Sequence, residues 1–154
     1  MNTPFKFALA MAMAGLLVAC VAPSDRRPGM WLRGDVVEQT PLDWSFTDAH
    51  REIAIEVNTP YLLRHSVTIW CGSLGGQLYV GARAPDTKNW PGWVERNPNV
   101  RLGVADQIYE VRLVRIDDAD EIARVRRAYA AKYDLDAPKE GAPTIRYWLV
   151  EPRG

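Results

Sequence analysis

The start of the sequence carries residues suited to one specific chemical modification. The run Leu17-Val18-Ala19-Cys20 matches the bacterial lipobox, in which an aliphatic, a tolerated and a small residue precede a cysteine. The thiol can carry a diacylglycerol group, and the small side chain before it leaves the peptide bond accessible to a signal peptidase. We therefore predict that Cys20 becomes the acylated first residue of a mature lipoprotein.

The residues before Cys20 have the pattern of a secretory signal. Lys6 supplies a positive charge, and the stretch from Phe7 to Val18 contains no charged side chain. This stretch is too short to span a bilayer comfortably, so residues 1–19 are predicted to be removed. The alternatives are a plain signal peptide with an incidental cysteine, or an anchor that is never cut. Val21 stands where an Asp would signal retention at the inner membrane, so we expect a cell-envelope protein at the outer membrane, facing the periplasm.

The segment Arg64-His65-Ser66 contains the most reactive side chains of the remaining chain. A lone His near the start of a strand is more often a hydrogen-bonded structural residue than a catalytic one. Two His residues and one further thiol, Cys71, cannot form an ordinary zinc site without carboxylates, so no metal is predicted. The sequence contains no Ser-His-Asp order that would indicate a hydrolase. We assign no catalytic residue, and we expect Cys71 to pack as a small apolar side chain.

Length and charge limit the classes of function. Removing 19 residues from 154 leaves 135, which is typical of one domain. Residues 20–30 are predicted to form a polar, acylated tether, and residues 31–154 to form the domain. Loss of Lys6 leaves 18 basic against 19 acidic side chains. This balance provides no electrostatic attraction for DNA or RNA, so nucleic acid is not an expected partner.

Short strands dominate the predicted secondary structure. The cleanest alternation is Glu52 to Val57, in which Ile53, Ile55 and Val57 should be buried while Glu52 and Glu56 face solvent. In chain order, the predicted strands are Trp31 to Glu38, Glu52 to Val57, Ser66 to Cys71, Gln77 to Arg83, Val100 to Val104, Ile108 to Ile116 and Thr144 to Val150. Glycines between Gly72 and Gly76 predict a hairpin that joins the third of these strands to the fourth. A second hairpin is predicted at Asp106-Gln107.

Two helices are predicted among these strands. A short one covers Trp90 to Arg96 and ends at Asn97-Pro98, and Trp90 and Trp93 could stack on a ring or pack in the core. The spacing of Asp118 and Glu121 predicts a capping box that opens the main helix. Its apolar stripe is Ile122, Val125, Tyr129 and Tyr133, and its solvent face is Arg124, Arg126, Arg127 and Lys132. Six or seven strands with one main and one short helix predict a mainly β (α+β) fold, a small closed or split β-barrel.

The order of these segments is similar to that of a known superfamily. The segments are Gln77-Leu-Tyr-Val-Gly-Ala-Arg83, Asp86-Thr-Lys-Asn-Trp90, Glu95-Arg-Asn-Pro-Asn-Val-Arg-Leu102 and Tyr109 to Ile116. They resemble the split β-barrel proteins of the pyridoxamine 5′-phosphate oxidase and deazaflavin-dependent nitroreductase superfamily. The resemblance covers roughly Glu52 to Val150.

The resemblance implies a homodimer that binds FMN or a deazaflavin at the subunit interface. Carried over by position, the phosphate contacts fall on Arg64 or His65, Arg83, Thr87 and Lys88. The backbone groups that meet the isoalloxazine ring fall on Val67, Thr68 and Ile69. The fuller basic phosphate motif of the oxidase is not present in this chain.

Two functions therefore remain open. The first is a lipid-anchored, flavin-binding oxidoreductase-like protein that passes electrons to a small acceptor such as a quinone or nitroaromatic. The second is a non-enzymatic envelope lipoprotein that binds a small hydrophobic ligand or a protein partner. The sequence has no twin-arginine export signal, which indicates export as an unfolded chain that carries no cofactor. A superfamily member that binds no cofactor therefore also fits the sequence.

Overall fold

The computed structural model describes residues 23, 28–137 and 139–153. The predicted signal peptide and Cys20 lie outside these residues, as does most of the tether. The strands are β1 (Asp35–Val37), β2 (Ile53–Asn58), β3 (Arg64–Ile69), β4 (Cys71–Leu74), β5 (Gln77–Arg83), β6 (Asn99–Val104), β7 (Gln107–Arg115) and β8 (Ile145–Pro152). The α-helices are α1 (Asn89–Arg96) and α2 (Ala119–Tyr133), and short 3-10 helices cover Ser45–Ala49 and Pro85–Thr87.

The strands form one sheet in the order β3-β2-β6-β7-β8-β5-β4. Its two end strands, β3 and β4, follow each other in sequence with only Trp70 between them, so the sheet curls round on itself. β1 runs parallel to β7 along Gln107–Tyr109, beyond the point where β8 ends at Pro152. The predicted small split barrel is confirmed, with eight strands in the described residues rather than six or seven.

The barrel interior is a packed apolar core. Ile53, Ile55 and Val57 are buried in it as predicted, because alternate side chains of a strand point to the same face. Trp148 and Trp90 lie in the same cluster with their ring centroids 5.2 Å apart. A ring-shaped ligand must therefore bind outside this core. Among the described residues, no helix is long and apolar enough to cross a membrane.

The first predicted hairpin has the wrong first strand. Gly75 and Gly76 do form its turn, both with positive φ, which glycine adopts without steric cost. The strand before the turn is the short β4, whose Cys71 lies opposite Val80. The run Ser66 to Cys71 instead breaks at Trp70, and β3 pairs with β2 at the other end of the sheet order. Sequence spacing locates the turn but does not show where the strand breaks.

Glu56 does not face solvent, which corrects the prediction for β2. Its side chain is 0% exposed. Glu56 lies on the outer face of the sheet, but the segment that enters from Gly29 covers it, and the Leu32 N–H donates to Oε2 at 2.7 Å. Arg101 Nη1 lies 3.2 Å and Arg64 Nη1 3.7 Å from Glu56 Oε1. Alternation identifies the face correctly, and a distant segment of chain changes its exposure.

α2 packs on the outer face of the sheet through the predicted stripe. Val125, Tyr129 and Tyr133 are buried, and Asp118 Oδ1 accepts from the Glu121 N–H at 2.7 Å. Lys132 does not lie on a solvent face as predicted. Its side chain is mostly buried, and Nζ donates to the Thr47 carbonyl at 3.0 Å. Arg124, Arg126 and Arg127 are exposed as predicted.

Cys71 is fully buried where β4 meets α2. The Tyr133 hydroxyl accepts from the Cys71 N–H at 3.0 Å and lies 2.8 Å from the Cys71 carbonyl. Lys132 Nζ lies 3.4 Å from Sγ, while burial raises the pKa of the thiol. The prediction that Cys71 packs as a small apolar residue is confirmed.

Candidate cofactor site

The barrel is open along one line, between β3 and β5. These strands are in contact but form no hydrogen-bonded ladder. The β4–β5 ladder ends where Cys71 lies opposite Val80, so the last residues of β5, Gly81 to Arg83, flank the opening on one side and β3 flanks it on the other. We call Thr68, Arg83 and Lys88 the β3–β5 seam. It contains three of the eight residues that the resemblance assigned to a cofactor.

Backbone hydrogen bonding decides which part of β3 is available to a ligand. Ser66 exchanges both main-chain hydrogen bonds with Gly29, at 2.8 and 2.9 Å. Because successive residues of a strand direct their N–H and C=O groups to opposite sides, Val67 and Ile69 direct theirs toward β2. Thr68 directs its groups toward the free edge. Of the three residues expected to meet a ring, Thr68 alone offers its backbone to the seam.

The side chains of β5 and of the following turn place positive charge at the seam. Leu78, Val80 and Ala82 point into the core, so alternation directs Arg83 outward, where it is exposed. Lys88, just before α1, folds back so that Nζ donates to the Arg83 carbonyl at 2.6 Å. That hydrogen bond holds the lysine ammonium beside the end of β5, on the strand that carries the arginine.

The donor set at the seam fits an anionic group in part. An ammonium has three protons, so Lys88 retains two after its bond to the Arg83 carbonyl. Within the part of the chain that the structure describes, no hydrogen bond or ion pair engages the Arg83 guanidinium, which can therefore donate to phosphate oxygens. Thr87 differs. Its hydroxyl donates its only proton to the Ala84 carbonyl at 2.8 Å, and phosphate oxygens only accept. Arg83 and Lys88 are suited to hold a phosphate, whereas Thr87 stabilises the turn.

Arg64 and His65 project to opposite faces of β3. Arg64 lies on the outer face, where its guanidinium is 3.7 Å from the buried Glu56 carboxylate. His65 lies opposite Val57 on the inner face, and its ring contacts Trp93 of α1 edge-on with centroids 5.2 Å apart. Only Arg64 therefore shares the outer face with Arg83, although part of its charge already faces Glu56.

Aromatic side chains gather at the end of the barrel that α1 covers. Trp93 is half-buried and also contacts Tyr61 edge-on, with centroids 6.0 Å apart. Burial lowers the pKa of His65 from its usual 6.5, so its ring is neutral at pH 7. Trp90 is buried in the core, so of the two tryptophans only Trp93 has an exposed surface on which a ring could stack.

Two surface cavities lie elsewhere. One of about 270 Å³ is lined by Ile122, Arg126 and the 139–145 loop. The other, of about 230 Å³, lies between α1 and β7 and includes Glu95 and Arg112. Neither is lined by a residue that the resemblance assigned to a cofactor. Within the described ranges, no group of three or more His, Cys, Asp or Glu side chains could hold a metal ion.

An eight-stranded, mainly antiparallel sheet that curls into a barrel and opens beside β3 defines the split β-barrel fold. Known structures share it. A conserved hypothetical protein from Mycobacterium tuberculosis matches with a TM-score of 0.57 at 16% identity, over 80% of this chain and 86% of that chain. A candidate pyridoxamine 5′-phosphate oxidase from Listeria innocua matches with a TM-score of 0.53 at 13% identity, over 71% and 90%. An F420 reductase matches with a TM-score of 0.51 at 18% identity, over 75% and 97%.

These likenesses establish the fold. The chain belongs to the family described as "Uncharacterized protein conserved in bacteria (DUF2255)", whose model matches residues 46–146. No curated protein matches this chain. The matched range includes β3, β5 and α1, and therefore the whole of the β3–β5 seam.

Proposed function

We propose that this protein is a lipid-anchored, flavin- or deazaflavin-binding oxidoreductase of the bacterial cell envelope. The observation that carries the proposal is the β3–β5 seam, where the Lys88 ammonium is held at the Arg83 carbonyl beside an unpaired strand edge. Two of the structural neighbours are named as a candidate pyridoxamine 5′-phosphate oxidase and an F420 reductase, which favours this class of cofactor.

The roles of the residues follow from their positions. Arg83 and Lys88 would bind the phosphate of FMN or of the deazaflavin F420 through charge-assisted hydrogen bonds. The Thr68 N–H and C=O would align the ring along β3. The bound cofactor supplies electron transfer to a small acceptor such as a quinone or nitroaromatic, while the protein orients the ring.

Location and assembly complete the proposal. Acylated Cys20 would hold the domain at the outer membrane, facing the periplasm. The packed core leaves no room for a ring inside the barrel, so the ring would lie at the exposed seam. A second copy of the chain would cover it there. The near-equal numbers of acidic and basic side chains argue against nucleic acid as a partner.

The test is titration of the purified chain with FMN and with F420, followed by quenching of cofactor fluorescence. The double variant Arg83→Ala, Lys88→Ala should weaken binding about a hundredfold, because each charge-assisted bond contributes roughly 1.5 kcal/mol. The matched control is Arg124→Ala, Arg127→Ala, which removes two exposed positive charges from α2. If the seam variant binds like the control, the site assignment is wrong.

A second candidate is a non-enzymatic envelope lipoprotein that binds a small hydrophobic ligand or a protein partner. The Thr87 hydroxyl favours it, because its one proton is used within the turn and the phosphate-binding set is correspondingly small. Under this hypothesis the wild-type chain quenches neither FMN nor F420. That result would overturn the cofactor proposal and leave the second candidate standing.

A further inference from the structure

The hairpin between β2 and β3 carries an apolar tip that the fold does not bury. Tyr61 and Leu63 are more than half exposed, and Leu62 is 96% exposed. Three large apolar side chains in a row at a loop tip are uncommon on a soluble surface, where such loops are normally polar. We call Tyr61, Leu62 and Leu63 the hairpin tip.

The hairpin tip is held in shape, so its exposure does not reflect a loosely placed loop. The Thr59 hydroxyl donates to the Leu63 carbonyl at 2.6 Å, and the Leu62 N–H donates to the Thr59 carbonyl at 3.3 Å. Leu62 has a φ of +65°, a left-handed conformation that costs a leucine roughly 1 kcal/mol or more. The backbone therefore accepts strain while presenting Leu62 outward.

The start of the described domain lies close to this tip. Gly29 pairs with Ser66, which is three residues from Leu63 along the chain, or about 10 Å of extended strand. The sequence places eight residue steps between Cys20 and Pro28, which span at most about 29 Å. A lipid on Cys20 would thus hold the domain with the hairpin tip within reach of the bilayer.

The neighbouring side chains have the composition of a membrane interface. Trp31, two residues after Gly29, is about half exposed. Trp and Tyr favour the boundary between headgroups and acyl chains, since each has an apolar body and a polar atom. The partly exposed Arg64, next to Leu63, carries a positive charge that anionic headgroups attract.

We propose that the hairpin tip inserts into the bilayer surface beside the lipid anchor and forms a second membrane contact. This contact would fix the orientation of the barrel relative to the membrane, which a single tether cannot do. The proposal rests on acylation of Cys20 and is independent of whether the β3–β5 seam binds a cofactor.

The test uses the full chain, produced with its lipid and reconstituted into vesicles of phosphatidylethanolamine and phosphatidylglycerol. A nitroxide label is placed at Leu62→Cys, and its collisions with oxygen and with a water-soluble nickel complex are measured. Leu42→Cys is the matched control. Leu42 is 99% exposed and lies two residues before Trp44, whose N–H donates to the Gly76 carbonyl at 2.8 Å, beyond the other end of the β3–β4 run.

We expect the ratio of oxygen to nickel collisions at position 62 to exceed that at position 42 by several-fold. Frequent nickel collisions at position 62 would place the tip in water and overturn the proposal. Infrequent collisions with both reagents would place the tip against a second protein copy and would also overturn it. The chain without an added cysteine tests the anchor itself, because Cys71 is buried and an acylated Cys20 has no free thiol. Labelling of that chain would show that Cys20 is not acylated, and it would overturn the proposal at this premise rather than at the hairpin tip.

Discussion

The main-chain N–H of Leu32 donates to Oε2 of Glu56 at 2.7 Å and fixes the entering segment across the outer face of the sheet. The carboxylate is fully buried there, and its charge is balanced by Arg101 at 3.2 Å. Burial of a carboxylate is costly unless cations and donors surround it. Glu56 therefore links three parts of the chain: the segment before β1, β2 and β6.

Removing the Glu56 carboxylate should destabilise the domain strongly. In Glu56→Ala the Leu32 N–H loses its acceptor and the Arg101 guanidinium loses its buried partner, so the free energy of unfolding should fall by about 3 kcal/mol or more. The control is Glu110→Ala, since Glu110 also pairs with Arg101, at 3.8 Å, but is about half exposed. That change should cost less than about 1 kcal/mol. Urea denaturation of both variants measures the difference, and equal losses would contradict the role given to Glu56.

Two glycine substitutions should change stability in opposite directions. A Cβ at Gly72 would lie 2.8 Å from the ring of Tyr129, which is held by hydrogen bonds to the Trp70 and Tyr79 carbonyls at 3.1 Å. Gly72→Ala should therefore cost about 1–3 kcal/mol. A Cβ at Gly92 in α1 meets nothing within 4 Å, so Gly92→Ala should stabilise by roughly 0.5–1 kcal/mol. Thermal unfolding compares the two, and stabilisation by Gly72→Ala would show that the Tyr129 ring can move.

Protonation of His65 should weaken the fold as pH falls. Burial lowers the pKa of His65 from 6.5 in the folded state, so the unfolded chain takes up the proton first. The contribution to stability is lost as pH falls from the unfolded value toward the lower folded pKa, and it levels off below that. NMR titration of the His65 ring should give a pKa below 6.5.

The control for this prediction is His65→Phe, which keeps an aromatic contact with Trp93 and removes the titrating group. Between about pH 7 and about pH 5, stability of the variant should decline less than that of the wild-type chain. A His65 pKa above 6.5 would show that a nearby negative group outweighs burial. Parallel decline in both proteins would mean that other groups cause the acid sensitivity.

Local pattern was sufficient for most of the secondary structure. The alternation of Ile53, Ile55 and Val57 predicted the buried face of β2, and the Asp118 cap with its apolar stripe predicted α2. These features depend on neighbours within a few residues, which the sequence displays directly. The number of predicted strands indicated a small closed or split barrel, and the order of the segments carried the resemblance to the split-barrel superfamily.

The site was less accessible to sequence reasoning. The positions of Arg83 and Lys88 came from resemblance, yet the hydrogen bond between them depends on how the 3-10 turn folds back. The resemblance assigned Thr87 to the phosphate contacts, but in the structure its hydroxyl donates its proton to the Ala84 carbonyl. The resemblance offered Arg64 and His65 as alternatives for one contact, but the two side chains lie on opposite faces of β3, because adjacent residues of a strand face opposite sides.

The sequence by itself determined the lipobox prediction at Cys20, the periodicity of the strands and the ends of the helices, because each depends on residues adjacent along the chain. Only the tertiary structure decided that Glu56 and Lys132 are buried, that β3 pairs with β2, and that a seam opens beside Arg83. Burial and strand pairing depend on segments distant in sequence that cover or flank a residue. No local pattern records which distant segment will do so.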